Sequence, residues 1–284
     1  MNRMLRLSQR TISRSRKIIY KNAHNSPYIS GDTFAQLCDV SIKKGNKPSI
    51  TKLRDARSIF CESHYLEEFL EEYNKVLNAK ILFAGNSDQE FHNIYFKWPR
   101  SIQKIYLQNS FISDSKRIFT LPIGLENKSL GGKNGSSSYR PVPYKFKKNR
   151  ILLGPYGNTH NVRNLIDKDY KIYSNKKEIN YLSERLSKRR YKKILIDYNL
   201  VACPRGNGVD THRVWESIYY GKHPVIVKDA WSKSLSYLNI PLVYIENWTT
   251  SEVVASKFSV VHAFDPNKLE SIWETYWQKL IGNA

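Results

Sequence analysis

From residue 58 onwards the chain alternates short apolar runs, of the length of buried strands, with segments of helical periodicity. Turn-forming residues close the apolar runs, as in Gly85-Asn86-Ser87-Asp88. Strands that alternate with helices predict βαβ units and a parallel sheet. The predicted strands are 58–61, 81–84, 104–107, 117–123, 150–154, 199–203, 223–227 and 242–246. The predicted helices are 62–77, 161–166, 178–196, 212–220, 231–238 and 250–257.

A Gly/Ser-rich and then Pro-rich stretch at 128–143 has little to bury and predicts a linker. It divides the chain into a basic segment at 1–25, a first α/β domain at 26–140 and a second at 141–284. In residues 266–280 the apolar side chains share one helical face, which predicts a helix that docks back on the protein. The Trp273, Tyr276 and Trp277 stripe of that helix is expected to be core rather than a sugar platform. Two such domains face each other across a cleft, and parallel sheets bind ligands at the carboxyl ends of their strands.

The charge is strongly positive, since 46 Lys and Arg against 25 Asp and Glu give a formal net charge of +21. Such a field attracts polyanions: nucleic acid, an anionic membrane face or phosphorylated substrates. The cations concentrate at 1–21, 140–150 and 185–193, which are expected to be solvated surface patches. Membrane attraction is the next interpretation. Nucleic-acid contact ranks last, because no helix-turn-helix, zinc-finger or RNP-type pattern accompanies the charge.

Composition excludes several classes of protein. With 40% hydrophobic residues the chain is not disordered. No apolar run reaches the ~18 residues of a membrane-spanning helix, and no secretory signal pattern is found. Three cysteines without metal-type spacing, Cys38, Cys61 and Cys203, argue against a disulfide framework or a zinc site. A cytoplasmic location is expected.

Residues 203–216 form the stretch of the sequence that most clearly indicates a ligand-binding site. It leaves a predicted strand, passes through a loop that holds Gly206 and Gly208, and enters a helix for which Asp210 is the expected N-cap. Glycines let the backbone approach a phosphate, and free N–H groups at a helix start favour negative charge.

Two charged residues follow on one face of that helix. Arg213 could clamp a diphosphate, and Glu216, three residues later, could accept hydrogen bonds from ribose hydroxyls. The spacing suits a nucleotide-diphosphate sugar. The structural alternative is a tight glycine turn followed by an intrahelical Arg213–Glu216 ion pair.

The whole stretch 203–229 resembles the C-terminal nucleotide-sugar signature of the exostosin-like glycosyltransferases. The shared pattern is a Pro-x-Gly-x-Gly loop, Asp-x-His-Arg, an aromatic residue, Glu, a short helix, Gly and a Pro-Val strand. Segments 29–34 (Ile-Ser-Gly-Asp-Thr-Phe), 86–88 (Asn-Ser-Asp), 108–109 (Gln-Asn) and 122–127 (Pro-Ile-Gly-Leu-Glu-Asn) resemble further family motifs, in the expected order. Lys222 and His223 depart from the family signature, in which small or apolar residues are more usual at these two positions. The absence of an anchor as in animal members favours a bacterial or viral version.

The resemblance implies a GT-B architecture, with two Rossmann-like domains, acceptor contacts mainly from the first and donor contacts mainly from the second. Arg213 is expected to stabilise the leaving diphosphate, which needs no metal or cofactor. For Arg163, which follows the 154–160 loop, a plain surface cation is an equal alternative. The expected donor-binding residues are Arg205, Gly206, Asn207, Gly208, Asp210, Thr211, His212, Arg213, Glu216, Arg163 and Thr159.

An inverting transfer also needs a carboxylate that takes the proton of the acceptor hydroxyl. Asp32 is the favoured candidate for this catalytic base, with Asp88 and Glu126 as other acceptor-side candidates. Capping of a helix that begins at Thr33 explains Asp32 equally well.

The expected function is transfer of a sugar from a nucleotide-diphosphate sugar to a glycan or lipid-linked glycan, in the biosynthesis of a surface polysaccharide such as lipopolysaccharide. The basic segment 1–25 would hold the enzyme peripherally on an anionic inner membrane face. A fucosyltransferase-like enzyme with a GDP-sugar donor is one alternative. A basic nucleic-acid-binding protein is another.

Two further patterns could suggest a metal site, but neither predicts one. Asp167-Lys168-Asp169 is formally a metal–nucleotide motif, but it is expected to be a solvated turn after a helix. The histidines at 24, 64, 92, 160, 223 and 262 form no ligand pair at helical spacing.

Overall fold

The computed structural model describes residues 27–43, 45–46, 48–93, 97–112, 116–127, 148–172, 177–260 and 263–283. The basic segment 1–25, the linker 128–143, most of the 140–150 cluster and two histidines, His24 and His262, lie outside the described residues. Two parallel sheets of five strands each form the framework. The chain is therefore α/β, compatible with two Rossmann-like halves.

The first sheet has its strands in sequential order, β1-β2-β3-β4-β5. Its strands are β1 (Val40–Ile42), β2 (Ser58–Glu62), β3 (Ile81–Gly85), β4 (Lys104–Gln108) and β5 (Ile118–Leu121). Its helices are α1 (Gly31–Leu37), α2 (Ile50–Asp55) and α3 (Leu66–Tyr73), with one-turn 3-10 helices at Ser63–Tyr65 and Asn74–Val76.

The two faces of this sheet are covered by different parts of the chain. Leu53 of α2 and Phe69 of α3 pack on the face that holds Ile59 and Leu82. On the opposite face, Phe83 stacks on Phe34 of α1, with ring centroids 5.7 Å apart. Alternation of side chains along each strand separates the two cores.

The second sheet has the order β7-β6-β8-β9-β10. Its strands are β6 (Lys148–Leu153), β7 (Ile179–Tyr181), β8 (Tyr198–Ala202), β9 (His223–Val227) and β10 (Val243–Ile245). Its helices are α4 (Asn161–Ile172), α5 (Lys188–Leu195), α6 (His212–Tyr219), α7 (Ala230–Ser234) and α8 (Thr250–Ser256), with 3-10 turns at Leu235–Leu238 and Lys257–Ser259. In a 2-1-3-4-5 sheet of this kind the strand order reverses between the first and third strands, here β6 and β8.

Helices cover both faces of the second sheet. Tyr170 of α4 and Val253 of α8 belong to the outer core. Leu195 of α5 and Trp215 of α6 belong to the inner core, which continues into the first sheet.

A last helix, α9 (Glu274–Gly282), follows two 3-10 turns at Pro266–Lys268 and Glu270–Ile272 and packs on the first sheet. Its Trp277 is fully buried and makes edge-on contacts with Phe34 and Tyr106. The predicted docking of this segment is confirmed, although its first half forms 3-10 turns rather than one continuous helix.

All eight predicted strands are present, and no strand end is displaced by more than two residues. The edge strands β1 and β7 and the helix α2 were not predicted. The predicted helix over 178–196 is wrong in its first part, because Ile179–Tyr181 pairs with β6 as an edge strand. Asp167-Lys168-Asp169 is not a turn either, since α4 runs through it to Ile172 and Asp167 accepts a hydrogen bond from the Tyr181 hydroxyl at 2.9 Å.

No helix within the described ranges is long and apolar enough to cross a bilayer. The three cysteines are buried free thiols.

Candidate functional site

A cavity of about 770 Å³ opens at the carboxyl ends of β6 and β8, the point where the strand order of the second sheet reverses. This is the position at which open α/β sheets bind their ligands. Three elements line it: the loop after β6 with Tyr156 and Thr159, helix α5 with the turn before it, and helix α6 with Arg213 and Glu216.

Arg213 lies between two tyrosine rings in this cavity. Its guanidinium carbon is 4.8 Å from the ring centre of Tyr156 and 5.1 Å from that of Tyr191. One terminal nitrogen, Nη2, donates to the Pro155 carbonyl at 2.7 Å. The other, Nη1, is buried and has no hydrogen-bond partner in the described part of the chain. A buried charged donor without a partner is costly, so Nη1 is the atom of the site that most needs a ligand.

The two tyrosines are neutral hydrogen-bonding groups at physiological pH. Burial raises the pKa of Tyr156 to about 12, against the opposing charge of Arg213. Burial also raises the pKa of Tyr191. The Tyr156 hydroxyl donates to the Ala202 carbonyl at 3.3 Å, whereas the buried Tyr191 hydroxyl has no partner among the described residues.

Glu216 is half-buried, one turn beyond Arg213 on α6, and lines the same cavity. The intrahelical ion pair with Arg213 is not formed, because no salt bridge within 4.0 Å joins the two side chains. Its carboxylate also receives no hydrogen bond from the residues that the structure describes. Arg213 and Glu216 therefore offer the cavity one donor and one acceptor, as the spacing on the helix predicted.

A row of cations forms the opposite wall of the cavity. It consists of Arg185, Lys188, Arg189 and Lys192, and we call it the cation wall. The sequence predicts a solvated surface patch here, which is confirmed for the exposed Arg185, Lys188 and Arg189, whereas Lys192 is half-buried. That the patch faces a cavity was not predicted. The signal available was their spacing, since 185, 188, 189 and 192 share one helical face. The 154–160 loop was expected to face a phosphate, but neither Tyr156 nor Tyr191 was predicted as a site residue.

The glycine loop is packed inside the protein and does not line the cavity. A Cβ on Gly206 would lie 3.1 Å from Nη2 of Arg163, and a Cβ on Gly208 would lie 2.8 Å from Nδ2 of Asn109. The Gly206 N–H donates to the Gly208 carbonyl at 3.1 Å. Both glycines allow close approach of protein groups, Arg163 on one side and the first sheet on the other, while Asn207 between them is exposed.

Arg163 is not a plain surface cation. Its Nε donates to the Arg205 carbonyl at 2.8 Å, its Nη2 to the Pro204 carbonyl at 3.1 Å, and its Nη1 to Thr159 Oγ1 at 2.9 Å. It holds the glycine loop against the loop after β6. Arg205 itself reaches across to the first sheet, where it pairs with Glu90.

Asp210 is not the N-cap of α6, because the helix begins at His212 and Thr211 occupies the cap position. The Asp210 carboxylate instead accepts from the Ile123 N–H at 2.8 Å and from the Trp215 indole N–H at 2.9 Å. It is buried and joins α6 to the loop after β5. Burial raises its pKa to about 7, while these hydrogen bonds act in the opposite direction.

His212 joins the same two parts of the molecule. Its Nδ1 donates to the Gly124 carbonyl at 2.8 Å. His212, Asp210 and Thr211 lie at the junction of the two halves rather than on the cavity surface.

The acceptor-side candidates occupy the facing edge of the first sheet. Asp32 is buried at 6% exposure in the first turn of α1, and its N–H donates to Asn127 Oδ1 at 2.9 Å. The helix starts at Gly31 with Ser30 as its cap, so capping of a helix that begins at Thr33 does not explain Asp32. Asp32 does not line the cavity.

The other two acceptor-side candidates differ in their surroundings. Asp88 is exposed. Glu126 forms an ion pair with Lys188 of the cation wall, so it borders the cavity from the side of the first sheet.

Comparison of the chain with models of protein families and with curated proteins found no match. In the described ranges, no group of three or more His, Cys, Asp or Glu side chains is arranged to hold a metal ion.

Proposed function

We propose that the chain is a glycosyltransferase of GT-B architecture, which moves a sugar from a nucleotide-diphosphate sugar to a glycan or lipid-linked glycan. The observation that carries the proposal is the unpartnered Nη1 of Arg213, held between two tyrosine rings in a cavity at the strand-order reversal. An anionic ligand would supply the partner that this nitrogen lacks. The resemblance of residues 203–229 to the exostosin-like signature supports the same function.

In this proposal Arg213 contacts the diphosphate and stabilises the charge that develops on it as it leaves. Contact with the Tyr156 and Tyr191 rings restricts the orientation of the planar guanidinium. Glu216 accepts hydrogen bonds from the ribose hydroxyls. A volume of about 770 Å³ lies in the range of small-molecule sites.

The acceptor enters from the first sheet. Asp32 is the proposed base in an inverting transfer, because such a transfer needs a carboxylate and Asp32 is bonded to Asn127, in the loop after β5 that also contacts Asp210 and His212. Segment 1–25 would give peripheral attachment to an anionic membrane face at the cytoplasmic side, for synthesis of a surface polysaccharide. No metal or cofactor is required in this scheme.

A thermal-shift panel of UDP, GDP, CMP and ADP, with and without divalent metal, tests the proposal. A ligand at 100 times its Kd should stabilise the fold by about 2.7 kcal/mol, which is several degrees for a chain of this length. We expect one nucleotide diphosphate to raise the midpoint of the wild-type protein and to have a much smaller effect on Glu216→Ala.

The matched control is Glu67→Ala, which removes an exposed carboxylate from α3, far from the cavity in the fold. It should respond to the nucleotide as the wild type does. A panel in which no nucleotide acts while an oligonucleotide raises the midpoint would contradict the proposal and favour a nucleic-acid-binding protein.

A further inference from the structure

The cation wall presents its charges to the cavity from one face of α5 and from the turn before it. Arg185 lies in the turn before α5, and Lys188, Arg189 and Lys192 follow at helical spacing. Two other cations of the same helix, Arg190 and Lys193, are exposed and do not line the cavity. The helix therefore offers a natural comparison between cations that face the site and cations that do not.

The first turn of α5 carries three cations, Lys188, Arg189 and Arg190, and no acid. A helix start bears partial positive charge, so cations there repel it and acids are preferred. The Ser187 cap satisfies only the Arg190 N–H, at 3.3 Å. This arrangement is unfavourable for the helix alone and favourable for an anion that binds to the helix start and the side chains together.

The charge in the cavity exceeds what the proposed donor can neutralise. Among the described residues, Arg213 and the four cations of the wall stand against two carboxylates, Glu216 and the Glu126 that pairs with Lys188. The diphosphate of a nucleotide sugar carries about two negative charges, and Arg213 already offers it a buried, unpartnered donor. The buried Tyr191 hydroxyl, which also lacks a partner in the described ranges, lies on the wall's own helix. A second anion therefore has both charge and hydrogen-bond donors available to it.

We propose that the cation wall binds a phosphate group of the acceptor, so that the enzyme glycosylates a phosphorylated acceptor. This inference rests on the proposed function and adds the chemical class of the second substrate. The phosphate could belong to a phosphorylated sugar unit or to a lipid-linked phosphate, which present the same charged oxygens. Glu126, paired with Lys188 at the edge of the wall, would be displaced or would rearrange when the phosphate binds.

The test compares two double variants in α5 and the turn before it, which have the same net charge. Arg185→Ala/Arg189→Ala removes two cations of the wall, and Arg190→Ala/Lys193→Ala removes two that face elsewhere. Calorimetric titrations use the nucleotide found in the panel and, on protein saturated with that nucleotide, glucose 6-phosphate. Phosphatidylcholine vesicles with and without phosphatidic acid serve as the lipid-borne phosphate.

We expect the wall variant to bind glucose 6-phosphate or the phosphatidic acid vesicles about tenfold more weakly than the wild type, which corresponds to the loss of one charged contact. Its Kd for the nucleotide should change far less, and the control variant should match the wild type in every titration. Binding of only one of the two probes identifies the source of the phosphate.

Three results would overturn the inference. Equal weakening by both double variants would show that the overall positive field attracts the anion. Equal loss of nucleotide and phosphate binding in the wall variant would assign the wall to the donor. Failure of the nucleotide-saturated wild type to bind either probe would show that no phosphate site exists there. Absence of nucleotide binding in all proteins contradicts the proposed function instead, and is observed in a separate titration.

Discussion

Arg163 and Arg213 lie near the same tyrosine ring but have different roles. Both guanidinium groups approach the Tyr156 ring, at 5.8 and 4.8 Å. Arg163 donates to two carbonyls and one hydroxyl, so its hydrogen bonds hold two loops together. Arg213 donates to one carbonyl and keeps a buried nitrogen without a partner in the described part of the chain. The sequence predicts both as donor-binding residues. In the structure, Arg213 is the one of the two that has a buried guanidinium nitrogen available to a ligand.

Replacement of Arg213 by lysine should separate charge from geometry. The ammonium keeps the charge but loses the planar contact with Tyr156 and Tyr191 and the second nitrogen. A hydrogen bond to a charged group is worth about 1.5–3 kcal/mol, so nucleotide affinity should fall roughly 10- to 100-fold. Titration calorimetry measures it, with Arg190→Lys as the control that should bind as the wild type does. Unchanged affinity in Arg213→Lys would show that charge alone matters at this position.

Asp210 should make stability depend on pH with an unusual sign. Its pKa is raised from 3.8 to about 7, so the folded protein holds the proton more tightly than the unfolded chain. The contribution of this carboxyl is therefore greatest below about pH 4 and is lost as pH rises to about 7. Relative to Asp210→Asn, the wild type should lose stability over that interval and stay level above it.

Urea denaturation of both proteins at a series of pH values measures this difference, with Asp88→Asn as the exposed control. If the wild type instead gains stability relative to Asp210→Asn as the pH rises, the pKa of Asp210 is lowered in the folded protein and the prediction is wrong. The N–H donors of Ile123 and Trp215 would then outweigh burial and keep Asp210 ionised.

At the scale of elements, the interior strands were predictable and the edge strands were not. Strands such as β3 and β8 are buried along their whole length, and their apolar runs stand out in the sequence. β1 and β7 have three residues each, and they are strands only because a neighbour pairs with them. In β7 the apolar spacing continues into the next helix, so the local pattern favoured a longer helix than the chain forms.

The candidate site was predictable where one element carries it and not where the fold assembles it. Arg213 and Glu216 lie on one helix after one strand, and both face the cavity. The cation wall faces the same cavity only because β6 lies between β7 and β8, which brings α5 opposite α6. The order of the strands in the sheet cannot be derived from the hydrophobic periodicity of the sequence.

The glycine loop should be sensitive to a single methyl group. Gly208→Ala would place a Cβ 2.8 Å from Asn109, whose side chain cannot withdraw because it accepts from the Asp210 N–H and donates to the Ser87 carbonyl. Overpacking of this kind typically costs about 1–3 kcal/mol. Urea midpoints of the wild type and Gly208→Ala measure the cost.

The same substitution in an Asn109→Gly background provides the control. Asn109 has φ of +56°, which glycine tolerates, and its removal opens the space that the new methyl group needs. Gly208→Ala should then cost much less. An equal cost in both backgrounds would show that the strain lies in the loop itself rather than in contact with the first sheet.

At the scale of the whole molecule, the two sheets share one hydrophobic core. The cluster that contains Phe83 and Tyr106 of the first sheet continues to Leu152 and Val201 of the second. Hydrogen bonds cross at Asp210, His212 and Tyr237, the last of which donates to the Thr120 carbonyl at 2.5 Å. The sequence predicts two domains that face each other across a cleft, whereas in the structure one continuous core joins the two halves.

Trp277 tests whether the halves unfold together. Truncation to alanine removes a fully buried indole from the core of the first sheet and should cost about 3–5 kcal/mol. Because the core is continuous, we expect calorimetry to show one transition at a lower temperature. Trp277→Phe keeps an aromatic ring but is smaller and loses the 2.9 Å hydrogen bond to the Ser271 carbonyl, so its transition temperature should lie between those of the wild type and Trp277→Ala.

A separate early transition of the first sheet in Trp277→Ala would contradict this expectation. Near-ultraviolet spectra during the melt would identify that sheet, because Phe34, Phe83 and Tyr106 surround the missing ring.

The docking of α9 on the first sheet also has a consequence for synthesis on the ribosome. The strands of that sheet are complete by Leu121, but the helix that covers them ends at Gly282, later in the chain by 161 residues. At about 5–20 residues per second, that interval lasts roughly 8–32 s. Throughout it the rings of Phe34, Phe83 and Tyr106 lack the indole that buries them. The half that is translated first is thus the last to be finished, and a chaperone that shields aromatic surface would be needed most during that interval.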